Sequence, residues 1–460
     1  MFGYKVKEII KATNGRLIKG NREQFLKGVS TDTRKLNDED IFIALKGENF
    51  DAHNFIDEKL TKQVKAIIVE KDIKTTADNV ILVKDTTKAL QDMAKYHRAN
   101  HKEVKVIGIT GSSGKTSTKD ILYNLLKEKY YVKKNEGNLN NHIGVPLTLF
   151  RLSGDEDFFI VEMGMSHQGE IKVLADIADP QIGLITNVGR AHIEFFDSVE
   201  GIAKTKGELI EALDSDDTAI LNYDNRYTDI LKNMADKGVK IKYFGFDKKA
   251  DYSIVEYDYK KDGMNFKMSS EEREINLKTN LIGEYNLYNI ASAVTAARLV
   301  NLEWSFIKKA LKNITLTGLR SEIKEIDEIT FINDCYNANP LSMKNAIKML
   351  QYIEGGHKIA VLGDMLELGD IKKEAHREIG QYVVQKNIDY LITTGPLGQY
   401  IAEGAQESGM NTNNIFYIED KPKISDKLKS ITKPQDIILI KGSRGMKMEV
   451  IYQDFSKDKG

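Results

Sequence analysis

The feature that most constrains the fold is a glycine-rich turn between a strand pattern and a helix pattern. The segment GITGSSGKTST, residues 108–118, follows an apolar run and leads into a helical pattern. Glycines let backbone N–H groups face phosphates, and a following helix N-terminus adds partial positive charge. The general P-loop has a glycine where Ile109 stands, so this is the shorter TGxxGKT form. The predicted phosphate contacts are Gly111, Ser112, Ser113, Gly114, Lys115, Thr116 and Ser117.

Two residues of this loop have specific predicted roles. Lys115 is expected to reach the β- and γ-phosphates, and the Thr116 hydroxyl is expected to bind Mg²⁺. A chance glycine-rich turn is the alternative, but the strand–loop–helix context favours nucleotide binding. The loop alone does not indicate which reaction the protein would catalyse.

The rest of the chain predicts an α/β protein of three domains. Short apolar strands alternate with helical patterns from 104 to about 318, which is typical of a parallel sheet with crossover helices. The pattern repeats in the last third of the 460 residues, and this length suits about three domains. We predict a small α/β unit at 1–102, a central P-loop unit with a parallel sheet at 103–318, and a Rossmann-like unit at 319–460. Strands are predicted in the first unit at IFIAL, AIIV and VILV, and in the third unit at ITFIND, KIAVLGD, DYLITTG and DIILIKG.

Charge and cysteine content exclude several classes of protein. The formal charge is -1, from 67 basic and 68 acidic residues, which argues against binding to nucleic acid or to an anionic membrane. The single cysteine, Cys335, cannot form an internal disulfide and fits a reducing compartment. The N-terminal residues lack the apolar stretch of a signal peptide, and runs such as IILI are too short to span a bilayer. We expect a cytoplasmic monomer without membrane insertion.

Several segments resemble those of the Mur ligase family. TGSSGKTST is similar to the ATP loop shared by Mur ligases and folylpolyglutamate synthetases, and NDCYNANPLSM, NLNNHIGVPLTLF and KGSRGMKMEVI are similar to Mur ligase segments. The resemblance covers nearly the whole chain. It implies an ATP- and Mg²⁺-dependent enzyme that activates a carboxylate as an acyl phosphate, which an amine then attacks. Such a reaction brings two anions together, so it needs cations around them.

The resemblance also implies the residues that carry the chemistry. Glu162, at the end of FFIVEMG, and His192, in TNVGRAHIEFF, match family positions that bind Mg²⁺ together with Thr116. Lys206, in AKTKGEL, matches the family's carbamylated lysine, which also holds metal. The catalytic set is therefore Lys115, Glu162, His192 and Lys206. Without the resemblance, Glu162 would be a surface acid and Lys206 a solvated helix lysine.

Further residues are implied to bind ATP. Asn286 and Asn289 open a small-residue helix, where asparagine would otherwise be an N-terminal cap. Arg320 precedes the third segment, and an arginine suits phosphate. The family match adds the ATP contacts Asp334, Tyr336 and Asn337. Cys335, within that run, is expected to be a structural residue.

The substrates follow from the segments that separate members of the family. STDTRKLNDEDIFIALKGENFDAHNF, residues 30–55, resembles the module that binds UDP-muramoyl peptides. NLNNHIGVPLTLF, VLGDMLELG and KGSRGMKMEVI resemble segments of the members that add D-alanyl-D-alanine to a UDP-linked muramoyl tripeptide. The DNPR-type segment of diaminopimelate- or lysine-adding members is absent. The implied substrate contacts are Ser30, Asp32, Arg34, Lys46, Gly47, Asn138, Asn140, Asn141, Asn339, Ser342 and His376.

Two other functions stay open from the sequence. A folylpolyglutamate synthetase-like ligase would share the ATP chemistry but should lack the 30–55 block and the YNANP run. A non-enzymatic P-loop switch is the second alternative. A GTPase switch would carry an NKxD motif, which does not occur in this chain.

Overall fold

The N-terminal part of the chain folds around a small, mainly parallel sheet. The computed structural model describes residues 2–260, 262–320 and 322–457. Five strands pair in the order β2-β7-β6-β5-β4, and β1 pairs with β3 alone. The predicted strands IFIAL, AIIV and VILV are confirmed as β5, β6 and β7. The bounds are β1 (Tyr4–Lys5), β2 (Arg16–Lys19), β3 (Phe25–Leu26), β4 (Gly28–Ser30), β5 (Asp40–Ile43), β6 (Ala66–Val69) and β7 (Val80–Leu82), with helices α1 (Val6–Thr13), α2 (Glu58–Gln63) and α3 (Thr86–Ala99).

The central part contains a nine-stranded sheet with the glycine-rich turn near its middle. Its order is β16-β15-β14-β13-β12-β11-β8-β10-β9. The strands are β8 (Lys105–Thr110), β9 (Val132–Lys134), β10 (Phe158–Glu162), β11 (Ile182–Ile185), β12 (Thr218–Asn222), β13 (Lys240–Gly245), β14 (Tyr252–Lys260), β15 (Gly263–Ser270) and β16 (Glu274–Thr279). The helices are α4 (Lys115–Leu126), α5 (Gly144–Leu149), α6 (Glu170–Ala178), α7 (Val199–Glu211), α8 (Thr228–Lys232), α9 (Glu284–Leu299) and α10 (Trp304–Leu311).

This sheet is parallel from β9 to β14, as predicted, but its far edge is antiparallel. β14, β15 and β16 form an antiparallel meander, which the sequence analysis did not predict. The physical reason is visible in β16, where buried and exposed residues alternate strictly. Such alternation suits an antiparallel strand with one face in solvent, whereas strands buried on both faces are apolar throughout.

The last part of the chain forms a separate six-stranded sheet of order β17-β18-β22-β19-β20-β21, parallel except for β17. The predicted strands ITFIND, KIAVLGD, DYLITTG and DIILIKG are confirmed as β18, β19, β20 and β22. The bounds are β17 (Glu322–Ile326), β18 (Ile329–Asn333), β19 (Lys358–Leu362), β20 (Tyr390–Thr393), β21 (Ile415–Tyr417), β22 (Ile437–Lys441), α11 (Pro340–Met349), α12 (Lys372–Gln385), α13 (Gly398–Glu407), α14 (Lys421–Ile431) and α15 (Glu449–Lys457).

The hydrophobic cores follow the sheets. One cluster of buried side chains runs from the N-terminal sheet to the face of the central sheet covered by α6 and α7, and a second lies under α4, α9 and α10. The six-stranded sheet has its own core on each face. Within the described residues, no helix has the length and apolar character needed to cross a bilayer.

A buried arginine fixes the joint between the first two sheets. Arg98, near the end of α3, is 1% exposed. Its Nε donates to the Ala178 carbonyl at 2.9 Å, and its Nη2 donates to the Asp179 carbonyl at 3.1 Å and to Gln181 Oε1 at 3.2 Å. One side chain from the N-terminal unit thus satisfies acceptors at the end of α6 in the central unit.

Replacing Arg98 with Met should lower the free energy of unfolding by about 2–4 kcal/mol, because buried carbonyl groups at the joint lose their donor. Urea unfolding followed by circular dichroism would measure this. The control is Lys95→Met, since the ion pair of Lys95 with Asp176 crosses the same joint in an exposed position. Exposed pairs contribute little, so an equal loss in both variants would contradict the assignment.

Candidate active site

A cavity of about 560 Å³ lies at the carboxyl edge of the central sheet, where the C-terminal unit faces it. β8 and β10 are parallel neighbours with Glu162 level with Ile109, so the glycine-rich turn and Glu162 emerge side by side. Ligands of open α/β sheets bind at this edge. The lining from the central unit includes Ser112, Ser113, Gly114, Lys115, Thr116, Ser117, Asn138, Asn140, Asn141, Glu162, His192, Asn286 and Asn289. The lining from the C-terminal side includes Arg320, Asp334, Tyr336, Asn337, Asn339, Ser342 and Lys441.

The glycine-rich turn is held in a conformation that only glycine accepts. Gly114 has φ 82°, and a Cβ built there would lie 2.3 Å from Asn289 Oδ1. Ser113 N–H donates to Asn187 Oδ1 at 3.0 Å, and Lys115 Nζ donates to the Gly111 carbonyl at 2.8 Å. Helix α4 begins at Lys115. The turn therefore presents a helix N-terminus and a lysine to the cavity, which is an arrangement that binds phosphate.

Lys115 is half-buried, and its electrostatic surroundings favour an anionic ligand. Burial lowers the pKa of Lys115, Glu162 opposes this, and the nearby Arg320 lowers the pKa further. A bound phosphate would add negative charge beside the ammonium group and favour its protonated form.

Glu162 is the acid at the centre of the cavity. Its Oε2 accepts a hydrogen bond from Thr116 Oγ1 at 2.7 Å and lies 3.0 Å from Lys119 Nζ. Its Oε1 accepts from Asn140 Nδ2 at 2.9 Å. Burial would raise the pKa of Glu162, but Lys119 and Lys115 outweigh it and the pKa is lowered. The carboxylate is thus ionised and adjacent to a hydroxyl, and both groups offer the oxygen ligands that Mg²⁺ prefers.

The residues present fit a magnesium ion that takes other ligands from phosphate and water. No cluster of three or more His, Cys, Asp or Glu side chains is arranged to hold a metal ion within residues 2–260, 262–320 and 322–457. Mg²⁺ keeps several waters and is usually bound through one or two carboxylates plus substrate phosphates. Thr116 and Glu162 match that donor set.

Arg320 connects the two sides of the cavity. Its Nη2 donates to Thr116 Oγ1 at 2.9 Å, and its guanidinium carbon lies 3.7 Å from the centre of the Tyr336 ring. Its Nε is buried and lacks a hydrogen-bond partner among the described residues. A buried unpaired donor is costly, and an anion in the cavity would satisfy it.

Lys441, at the end of β22, holds the third-segment loop in place. Its Nζ lies 2.6 Å from Asp334 Oδ2 and donates to the Asn337 carbonyl at 3.0 Å. Asn339 Nδ2 reaches the Ser112 carbonyl at 3.4 Å and so touches the glycine-rich turn. The DCYNAN run therefore lies against the phosphate-binding loop.

Comparison with known proteins places this geometry in a family. The Mur ligase middle domain matches residues 109–297, and the Mur ligase, glutamate ligase domain, matches residues 319–444. The UDP-N-acetylmuramoyl-tripeptide–D-alanyl-D-alanine ligase of Bacillus subtilis is 37% identical over 454 residues, covering 98% of this chain and 97% of that protein. The chain belongs to the Mur ligase family.

Solved structures agree with this membership. A crystal structure of MurF from Acinetobacter baumannii is similar to this Mur ligase with a TM-score of 0.92 and 29% identity, over 99% of both chains. MurF from Thermotoga maritima in complex with ADP is similar with a TM-score of 0.83 and 29% identity, over 94% of this chain and 97% of that one. The three-domain α/β architecture predicted from the sequence is confirmed.

Most of the predicted site residues of this Mur ligase line the cavity, but some lie elsewhere. Gly111 shapes the turn, because its φ is 152° and a Cβ there would lie 1.9 Å from Thr186 Oγ1. Lys206, on α7, is 1% exposed, so it is not the solvated helix lysine that its sequence alone suggests. Burial and the charge of Lys115 lower the pKa of Lys206 far below its usual value. This shift favours the neutral amine.

The predicted contact of His376 with substrate is corrected by the structure. His376 is 0% exposed in α12. Its Nε2 accepts from the Met365 N–H at 2.9 Å, and its Nδ1 lies 2.6 Å from the Lys372 carbonyl. Both ring nitrogens are engaged by backbone, so His376 supports the loop after β19 and has no surface for a ligand. The family resemblance implied a substrate contact for His376 but carried no information on its burial.

The five predicted N-terminal contacts lie outside the cavity. Ser30 ends β4, and its Oγ is within hydrogen-bond distance of the carbonyl groups of Asp32 and Lys35. Arg34 donates to both Asp32 oxygens, at 2.9 and 2.8 Å. Lys46 is exposed, and the Gly47 N–H donates to the Phe50 carbonyl at 2.7 Å. Their contact with a substrate stays a prediction.

The sequence did not predict several residues that line the cavity or contact Glu162. Lys119 lies four residues after Lys115 on α4, a spacing that places both on one helix face and could have been recognised. Lys441 ends a fully buried strand at the ligand-binding edge, which is also a readable signal. His167 also lines the cavity, together with Glu170. Cys335 is 1% exposed, and burial raises the pKa of its thiol, so the predicted structural role is supported.

Gly114→Ala should weaken binding of a non-hydrolysable ATP analogue about tenfold or more, as measured by calorimetry. The added Cβ would collide with Asn289 and hold a side chain at φ 82°. Gly409→Ala is the matched control, because Gly409 also has positive φ, 95°, but nothing lies within 4 Å of its Cβ position. Unchanged affinity in Gly114→Ala would reject the proposed fit of the turn.

Proposed function

We propose that this Mur ligase joins D-alanyl-D-alanine to UDP-N-acetylmuramoyl-tripeptide, with ATP and Mg²⁺, through an acyl phosphate. Its product would be the UDP-linked muramoyl pentapeptide, the last precursor of peptidoglycan made in the cytoplasm. The observation that carries the proposal is the 37% identity, over nearly the full length of both chains, to a ligase named for this reaction. The cavity agrees with the proposal, because Lys115, Arg320 and Lys441 line a space formed by both units.

The first step is phosphoryl transfer, and the chain supplies cations for it. Lys115 and the N-terminus of α4 bind the phosphates, and Arg320 neutralises the charge on the transferring group. Thr116 and Glu162 would hold Mg²⁺, which supplies further neutralisation of phosphate charge when bound. Asn286, Asn289, Asp334, Tyr336 and Asn337 line the same cavity and are proposed to hold the rest of the nucleotide.

The two steps together form the amide bond. In the first step, an oxygen of the terminal tripeptide carboxylate attacks the γ-phosphorus, and ADP leaves. In the second step, the amine of D-alanyl-D-alanine attacks the acyl carbon, phosphate leaves, and the nitrogen loses a proton. Asn138, Asn140 and Asn141 line the cavity beside Glu162 and are proposed to orient the tripeptide carboxylate.

The three units divide the substrates between them. We assign 1–102 to the UDP-muramoyl peptide, with Ser30, Asp32, Arg34, Lys46 and Gly47 as contacts. Residues 103–318 hold ATP, and 319–460 hold the dipeptide, with Asn339 and Ser342 at the cavity.

Contact between the last two units is part of the chemistry. Asn339 and Arg320 both touch the glycine-rich turn. Closure of this kind would exclude water, which would otherwise hydrolyse the acyl phosphate. One chain supplies the whole cavity lining, so we propose that the enzyme works as a monomer in the cytoplasm, where ATP is available.

Lys206→Ala should abolish ligase activity, and small carboxylates such as acetate should partly restore it. The neutral amine of Lys206 is the form that reacts with carbon dioxide, and the resulting carbamate would be a negatively charged metal ligand. The lowered pKa of Lys206 raises the fraction of its amine that is neutral. Lys204→Ala, on the exposed face of the same helix, should keep activity. Full activity in Lys206→Ala would exclude the carbamate.

The proposed function is tested by phosphate release with ATP, Mg²⁺, UDP-muramoyl-tripeptide and D-alanyl-D-alanine, omitting one component at a time. Release that requires all four, with the pentapeptide detected by mass, is the expected result. Release supported by folate and glutamate instead would identify a folylpolyglutamate synthetase-like enzyme. Release that needs only ATP and Mg²⁺ would reject the substrates while keeping the nucleotide site.

A further inference from the structure

One charge contact joins the metal side of the cavity to the C-terminal unit. His192, in the loop after β11, lines the cavity. Its Nδ1 lies 2.5 Å from Oε2 of Glu367, in the loop after β19. The nitrogen and oxygen are within hydrogen-bond distance but not aligned as a hydrogen bond in this structure. Glu367, from the C-terminal unit, therefore lies against His192, a predicted metal ligand of the central unit.

The backbone at this contact is unusual on both sides. His192 and Glu367 each have φ 61°, a left-handed conformation that residues with a Cβ rarely adopt. Residues held in such conformations cluster at functional sites, where the surrounding structure imposes them. Here the conformation of each loop aims its side chain at the other unit.

The two loops also fit against each other through their backbones. The Glu194 N–H donates to the Glu367 carbonyl at 3.4 Å. Gly369 has φ 52°, and a Cβ there would lie 3.2 Å from Glu194 Cα. The short 3₁₀ helices Ile193–Phe195 and Gly369–Ile371 meet at this point. The position of Glu367 against His192 therefore depends on how the C-terminal unit sits on the central unit.

The contact between Glu367 and His192 is the kind that orients a metal-binding histidine. A histidine that binds a metal through one ring nitrogen usually donates the other ring N–H to a carboxylate or carbonyl, which fixes the tautomer and the ring orientation. With Glu367 at Nδ1, Nε2 is the nitrogen that is left to bind metal. A contact that only held the units together would not need a histidine of the cavity. The neighbouring pair Arg190–Glu378, 3.4 Å apart, is such a contact.

We propose that Glu367 is a positioning residue that orients the His192 ring for Mg²⁺ when the C-terminal unit closes on the central unit. The metal site is then complete only in the closed enzyme, which couples closure to phosphoryl transfer. This inference rests on the proposed function and on the role of Mg²⁺ ligand that the family resemblance implies for His192.

The test uses Mn²⁺ with a non-hydrolysable ATP analogue and the full-length enzyme. Electron spin-echo spectroscopy detects nitrogen coupling from an imidazole bound to Mn²⁺, and His192→Ala gives the background signal. We expect coupling in the wild type, loss of it in Glu367→Ala with about 10–100-fold weaker Mn²⁺ binding, and recovery in Glu367→Gln, whose amide oxygen can still accept from Nδ1–H. Glu378→Gln, which breaks the neighbouring inter-unit pair, should keep the coupling.

Three outcomes would overturn the proposal: coupling and Mn²⁺ affinity unchanged in Glu367→Ala, equal losses in Glu367→Ala and Glu378→Gln, or no coupling in the wild type. The four-component phosphate-release assay on the wild type separates these results from the proposed function. Pentapeptide formation without nitrogen coupling would reject the role of Glu367 and keep the ligase reaction. Coupling without pentapeptide formation would reject the ligase reaction and keep the metal-site assignment.

Discussion

Glu162 carries a buried carboxylate whose two oxygens are both held by donors from other elements. Thr116 and Lys119 come from α4, and Asn140 comes from the loop before α5. The backbone of Glu162 is also fixed, because its N–H donates to Asn135 Oδ1 at 2.9 Å. A buried charge is tolerated only when it is paired and hydrogen-bonded. This one network therefore sets the relative positions of the phosphate-binding helix, the strand beside it and the asparagine loop.

The same network explains why the site lies where the sheet and the C-terminal unit meet. Thr116 receives a hydrogen bond from Arg320, which in turn lies over Tyr336. The chain from Glu162 to Tyr336 thus passes from the central sheet to the six-stranded sheet through side chains in contact. A change in the position of the C-terminal unit would alter the hydrogen bond from Arg320 to Thr116, whose hydroxyl is proposed to bind Mg²⁺. The inter-unit contact of Glu367 with His192 lies on the other side of the same cavity.

Local patterns were enough to predict the sheets and the phosphate-binding turn. AIIV matches β6, and the turn before Lys115 matches the start of α4, because burial and glycine geometry are short-range properties. Resemblance to a family added residues such as Glu162, which has no local signature of its own.

What could not be predicted depends on contacts between distant parts of the chain. Lys119, on α4, pairs with Glu162 at the end of β10, and Glu367 contacts His192 only because two units pack together. The burial of His376 likewise follows from how α12 packs in the third unit. The antiparallel edge at β14–β16 had a readable alternation, but the strand–helix alternation before it favoured a parallel prediction.

Two cations that lie close together in the ligand-free cavity have consequences for how the enzyme works. Lys115 lies near Arg320, and the two cations are mutually unfavourable. Arg320 comes from the C-terminal side, so bringing the units together without an anion concentrates positive charge. A bound triphosphate reverses the sign of that interaction, since the cations then share a polyanion. The nucleotide thus binds the closed arrangement better than the open one, which is the condition for a ligand to shift a conformational equilibrium. The Lys115–Arg320 pair therefore favours an order in which ATP binding precedes full closure and closure precedes chemistry.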